Sequence, residues 1–77
     1  MKKFKSIRND RYNARESLRE ELDAINKYEM RIDGCTDKEL KYIFQHNMDE
    51  EKDHVAMLIE WLQNYDETQG KMFIEHD

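Results

Sequence analysis

Seventy-seven residues, with 13 Lys+Arg against 18 Asp+Glu, one Cys and no Pro, allow one domain at most and exclude an internal disulfide. A chain this short buries only roughly 60% of its unfolded surface, so a stable core calls for a metal, a partner chain or both. No apolar run is long enough to span a membrane, no apolar stretch follows the basic residues 1–5 to make a secretory signal, and an unpaired Cys35 fits a reducing cytoplasm.

Leu, Ile, Val and Phe make up 15 of the 77 residues, a level at which disorder is a fair suspicion. Helical periodicity overrules it. Charge is unevenly placed: residues 1–19 carry +5 and residues 20–77 carry −10. The basic stretch has no interleaved aromatics and no nucleic-acid motif, so a solvated helix start is expected there and no nucleic-acid partner. The acidic remainder draws cations rather than phosphates.

The first predicted helix runs over about 8–32. Ala14, Leu18, Glu21, Ile25, Tyr28 and Ile32 step by 4, 3, 4, 3, 4, which is a heptad seam, and Leu22 widens it. Asp33-Gly34-Cys35-Thr36 breaks the pattern. Gly34 can close a helix in the left-handed conformation, and Thr36 with Glu39 reads as a capping box for the next helix. That second helix is predicted over about 37–65. Leu40, Phe44, Asn47, Glu51, His54, Leu58, Trp61 and Tyr65 keep the 4, 3 alternation, and Ile43, Val55, Ile59 and Leu62 widen the stripe. A short connection between two long helices implies an antiparallel hairpin. Residues 66–70 read as a second break, and 71–76 as one short turn whose Met72, Phe73 and Ile74 need cover. The whole is one all-α domain over residues 1–77.

Both seams hold ionisable residues where apolar ones belong. Glu21 sits mid-seam in the first helix; Glu51 and His54, spaced i, i+3, share one face of the second. A buried carboxylate is costly unless it is paired, protonated or metal-bound. The heights agree: Glu21 lies roughly 18 Å below the break and Glu51 roughly 22 Å at ~1.5 Å per residue, a mismatch under one turn. Carboxylates and an imidazole from facing helices suit a borderline-to-hard metal ion. Di-iron carboxylate bundles take a Glu from each of two helices and a Glu-x-x-His from each of the other two. This chain carries half of that inventory on half of a four-helix bundle, and a symmetric dimer would complete both. The competing reading is a polar layer that sets register in a non-catalytic helical assembly module, metal-stabilised or metal-free.

The stretch from Glu20 to Trp61 also resembles a family. Glu20-Glu21-Leu22-Asp23-Ala24, Tyr28, Asp33-Gly34-Cys35, Asp37-Lys38-Glu39-Leu40-Lys41, His46-Asn47, Glu50-Glu51, His54 and Glu60-Trp61 are similar to the encapsulated ferritins, the ferritin-like cargo of encapsulin nanocompartments. The resemblance implies a two-helix protomer whose dimer builds a ferroxidase centre, with two iron ions per dimer oxidised from Fe2+ to Fe3+ and dimers joined in an open ring. On that pattern Glu21, Glu51 and His54 from two chains are the ligands and Tyr28 stands beside the centre. Glu20 and Asp23 match acidic positions of a metal-attraction site. An encapsulin shell is the implied partner, and a cytoplasmic nanocompartment the implied location. Two departures stand out. Lys27 occupies a position where the family often has Trp, which bears on packing around the centre and not on the ligands. The family's C-terminal shell-addressing tail has no evident counterpart, which leaves a truncated chain, a piece of a fusion and a shell-free protein open.

The remaining residues have plainer readings. Trp61 and Tyr65 are expected to pack at the far end of the bundle, and Cys35 to be a small buried cap residue in the turn. His46 is expected on the surface. Met30, Met48 and Met57 are expected at surfaces between dimers. Asn47, one heptad before His54, orients a ligand or fixes register.

Overall fold

The computed structural model describes the backbone of residues 2–76 and the side chains of residues 8–75. The expected basic side chains of Lys2, Lys3 and Lys5, and that of His76, lie outside the described side chains. The described residues form three helices and no strand: α1 (Lys2–Gly34), α2 (Lys38–Tyr65) and α3 (Glu67–His76). α1 and α2 pack as the expected antiparallel hairpin, and α3 packs on α2.

The α1–α2 turn departs from expectation in two details. Gly34 does not adopt a left-handed conformation; it stays in α1, which closes through the Cys35 N–H donating to the Ile32 carbonyl at 3.2 Å. The N-cap of α2 is Asp37, not Thr36. The Asp37 backbone is extended and its Oδ2 accepts from the Leu40 N–H at 2.8 Å, satisfying one donor that a helix start leaves unpaired. Cys35 is half-buried in this turn, and its thiol donates to the Asp37 carbonyl at 3.4 Å.

The second break shrinks to one residue. The Asp66 N–H donates to the Leu62 carbonyl and closes α2, while Asp66 Oδ1 accepts from the Gln69 N–H at 3.1 Å and opens α3. Residues 67–70 are therefore helical rather than broken. Gly70 is not a breaker: a Cβ there would collide with the Gln63 carbonyl, so its role is close approach between α3 and the end of α2. Arg15 of α1 reaches the same Asp66, Nη1 to Oδ2 at 3.5 Å. Phe73 is half-buried, while Met72 and Ile74 stay exposed.

The core is thin. Among the described residues only Met48 (8% exposed) and Leu62 (4%) count as buried. Met48 was expected between dimers; instead it is buried within the single chain, one heptad before the half-buried Val55 and two before the buried Leu62. Met30 and Met57 are exposed. All six α1 seam residues, Ala14 to Ile32, are half-buried. On α2 the seam is covered unevenly: Leu40, Ile43 and Tyr65 remain exposed. The extents of 53 × 30 × 14 Å describe a single layer, since one helix with side chains is about 10–12 Å thick.

Candidate metal centre

Halfway along the hairpin, α1 presents Glu21 and α2 presents Glu51 and His54. The three offer ligand atoms that all lie within 4.8 Å of one another. His54 Nδ1 sits 3.3 Å from Glu21 Oε2 and 3.6 Å from Glu51 Oε2. The shorter distance is a hydrogen bond between residues 33 apart in sequence; the longer is an electrostatic contact within one helix turn. The imidazole thus stands between two carboxylates that would otherwise face each other.

Burial is partial and lopsided. The carboxyl-bearing side chains are about three-quarters covered, whereas the His54 side chain is 48% exposed. The open side is a cleft of about 400 Å³ lined by Ser17, Glu21, His54, Met57, Leu58 and Trp61. Trp61 stacks on Tyr65 at 4.8 Å between ring centroids, but it lines the cleft beside Glu21 and His54 while Tyr65 stays exposed, so the pair does not simply fill the far end of the bundle. Ser17 precedes Glu21 by one turn and Met57 follows His54 by three residues. Neither was singled out as a cleft residue from sequence, since a small hydroxyl and a thioether on charged helices carry no signal of their own.

Donors bound to one first-row divalent ion sit about 2 Å from it, and so up to about 4 Å from one another. The observed spacings approach that range. Two carboxylates and an imidazole form a donor set for a borderline-to-hard cation such as Fe2+, Mn2+ or Zn2+. One hairpin supplies three such donors and leaves the far side of the cluster uncovered.

The other expected residues lie outside this cluster. Tyr28 is one heptad further along α1, roughly 10 Å at ~1.5 Å per residue. Its ring meets Phe44 at 6.1 Å and the Arg31 guanidinium at 5.4 Å. Glu20 and Asp23 are exposed, and Asp23 Oδ2 is paired with Lys27 Nζ at 3.0 Å. The Lys27 that stands in place of an aromatic residue thus points its charge at Asp23. His46 is exposed, with Nε2 2.9 Å from Glu50 Oε1.

A helical hairpin with two carboxylates and a histidine converging on one face carries the same donor types, on the same kind of element, as the ferritin-like carboxylate bundles. The family model described as EncFtn-like matches residues 1–76, and the chain belongs to that family. It is 49% identical over 57 residues to the encapsulated ferritin-like protein of Rhodospirillum rubrum, covering 74% of this chain and 41% of that protein. It is 42% identical over 54 residues to the encapsulin nanocompartment cargo protein EncC of Myxococcus xanthus, covering 70% and 42%. The crystal structure of protein ne0167 from Nitrosomonas europaea superposes with a TM-score of 0.83 at 48% identity, covering 87% of this chain and 74% of that one. The chain thus spans about two-fifths of the length of the curated relatives it matches. No helix among the described residues is long and apolar enough to cross a membrane.

Proposed function

We propose that this chain is a ferroxidase half-site. Two protomers pair across the cleft, and Glu21, Glu51 and His54 of each hold two Fe2+ ions between them. One observation carries the reading: ligand atoms from both helices converge within 4.8 Å at the edge of an open cleft rather than in a closed core. The exposed Leu40, Ile43, Met57 and Tyr65 supply apolar surface for the pairing, and residues 1–77 act as one domain.

The charge count supports the pairing. Two copies bring four carboxylates, whose formal charge balances two Fe2+ ions. In the reaction each Fe2+ loses one electron; the two electrons and two protons convert dioxygen to hydrogen peroxide, leaving two Fe3+. The chain's own contribution is positional. Glu21 and Glu51 set the anionic field, His54 supplies the neutral nitrogen donor between them, and the Leu58 and Trp61 walls limit solvent at one end. Tyr28 is a more distant phenol in the same seam. Glu20 and Asp23 draw cations toward the hairpin, with Lys27 offsetting part of the Asp23 charge. Release into an encapsulin compartment in the cytoplasm, where ferric iron is deposited, follows the M. xanthus relative's name as encapsulin cargo, and rings of dimers are the proposed assembly.

The test is iron content and native mass of the protein with and without Fe2+, beside the Glu51→Ala, His54→Ala double variant. About one iron per chain, oxygen consumption and a shift to a larger assembly are expected for the parent and none of these for the variant, since two irons are shared by two chains. Equal assembly of both proteins without iron uptake would make the hairpin a structural module. Metal-dependent assembly with no oxygen consumption would make it a metal-stabilised one.

A further inference from the structure

The reaction written above leaves hydrogen peroxide in the cleft, and one cleft residue is chemically suited to meet it. Met57 lines the cleft together with Glu21 and His54 and is 61% exposed. It follows His54 by three residues on α2, a spacing that sets Cβ atoms about 5–6 Å apart on one side of a helix. Its thioether is soft and polarizable, and peroxides convert such a sulfur to the sulfoxide.

The other methionines with described side chains frame this position. Met30 is more exposed, at 76%, but does not line the cleft; it stands nine residues beyond Glu21, roughly 14 Å along α1. Met72, on α3, is 41% exposed, and Met48 only 8%. Exposure alone therefore ranks Met30 first, whereas nearness to the source of peroxide ranks Met57 first.

We propose that Met57 is a peroxide-oxidised site that switches off pairing across the cleft. The inference rests on the ferroxidase half-site reading, which supplies both the peroxide and the pairing. In the step the O–O bond of hydrogen peroxide breaks. One oxygen bonds to Met57 Sδ, which gives up two electrons and becomes the sulfoxide; the other oxygen leaves as water with both protons. The product is polar where the thioether was apolar, and it stands beside Leu58 and Trp61 on the surface that pairing covers. A polar group buried without a hydrogen-bond partner is costly, so each oxidised copy is expected to pair about tenfold or more weakly. Peroxide that outruns its removal thus opens the half-sites and halts its own production, and a methionine sulfoxide reductase restores them.

Two experiments test this. In the first, metal-free protein in chelator is treated with hydrogen peroxide, freed of both, given Fe2+ without oxygen and weighed by native mass spectrometry, with each methionine followed by peptide mapping. Fe2+-dependent assembly is expected to fall in step with sulfoxide at Met57 and to return after treatment with the reductase. Met57→Leu is expected to assemble as well after peroxide as before it, and Met30→Leu to stay sensitive. Assembly that persists with Met57 fully oxidised would overturn the inference alone; no Fe2+-dependent assembly even before peroxide would overturn it together with the half-site reading. In the second, the protein turns over Fe2+ in air with catalase present to remove peroxide from bulk solution. Met57 is expected to oxidise first while Met30 stays largely intact, and the Glu51→Ala, His54→Ala variant to show no such preference. Equal oxidation of Met30 and Met57 in the parent would show that peroxide arrives from bulk solution and would overturn the siting.

Discussion

At the residue scale the two glycines answer to opposite constraints. Gly34 is helical, with nothing near the place where a Cβ would stand. Gly34→Ala is therefore expected to stabilise by about 0.5–1 kcal/mol, through lost freedom in the unfolded chain. Gly70 has the Gln63 carbonyl against that same place, and Gly70→Ala is expected to cost about 1–3 kcal/mol of overpacking, felt chiefly in the docking of α3. Thermal melts followed at 222 nm check both signs. Asp37→Ala removes the α2 cap and is expected to cost about 1 kcal/mol, whereas Thr36→Ala should cost far less. The sequence did not separate those two neighbours, because Thr36 and Asp37 are both good capping residues and backbone geometry chooses between them. Glu21, Glu51 and His54 were legible for the reason that makes them costly: ionisable groups interrupt an apolar stripe. Ser17 and Met57 interrupt nothing, so the cleft wall they form becomes visible only in three dimensions.

Among the elements, the heptads of α1 and α2 predicted the hairpin and its antiparallel sense, and the predicted α2 seam does meet α1, through Phe44 on Tyr28 and His54 on Glu21. The most buried side chains of α2, Met48 and Leu62, lie one position beyond that seam. Two adjacent faces of one amphipathic helix overlap in sequence, and periodicity alone does not say which is more deeply covered. α3 was legible only in part because Gly70 looks like a breaker and Asp66 like loop. Both are explained by contacts: Asp66 closes one helix, opens the next and meets Arg15. Asp66→Ala is accordingly expected to lower helical content by up to the ten residues of α3 while the hairpin persists. Arg15→Ala should give a smaller loss, since an exposed ion pair contributes only about 0–1 kcal/mol. Hydrogen exchange over residues 67–76 distinguishes the two.

The whole molecule is elongated. Its radius of gyration is 16.1 Å, against about 11.5 Å for a compact chain of this length by the usual scaling. A slab with two buried residues gains little from its own interior, so most of its stability is expected to come from association. The melting temperature should accordingly rise with protein concentration, and a concentration-independent melt would contradict that. The same shape governs how the cleft would work. In a layer 14 Å thick, the half-exposed His54 meets water until a second layer covers it. On the proposed pairing each hairpin contributes half of the site, so dilution changes the kind of object in solution rather than the amount of catalyst. Below the pairing concentration the initial rate of iron oxidation should then grow with the square of protein concentration, and above it linearly. The bend in that plot would report the pairing equilibrium in the units of a reaction order.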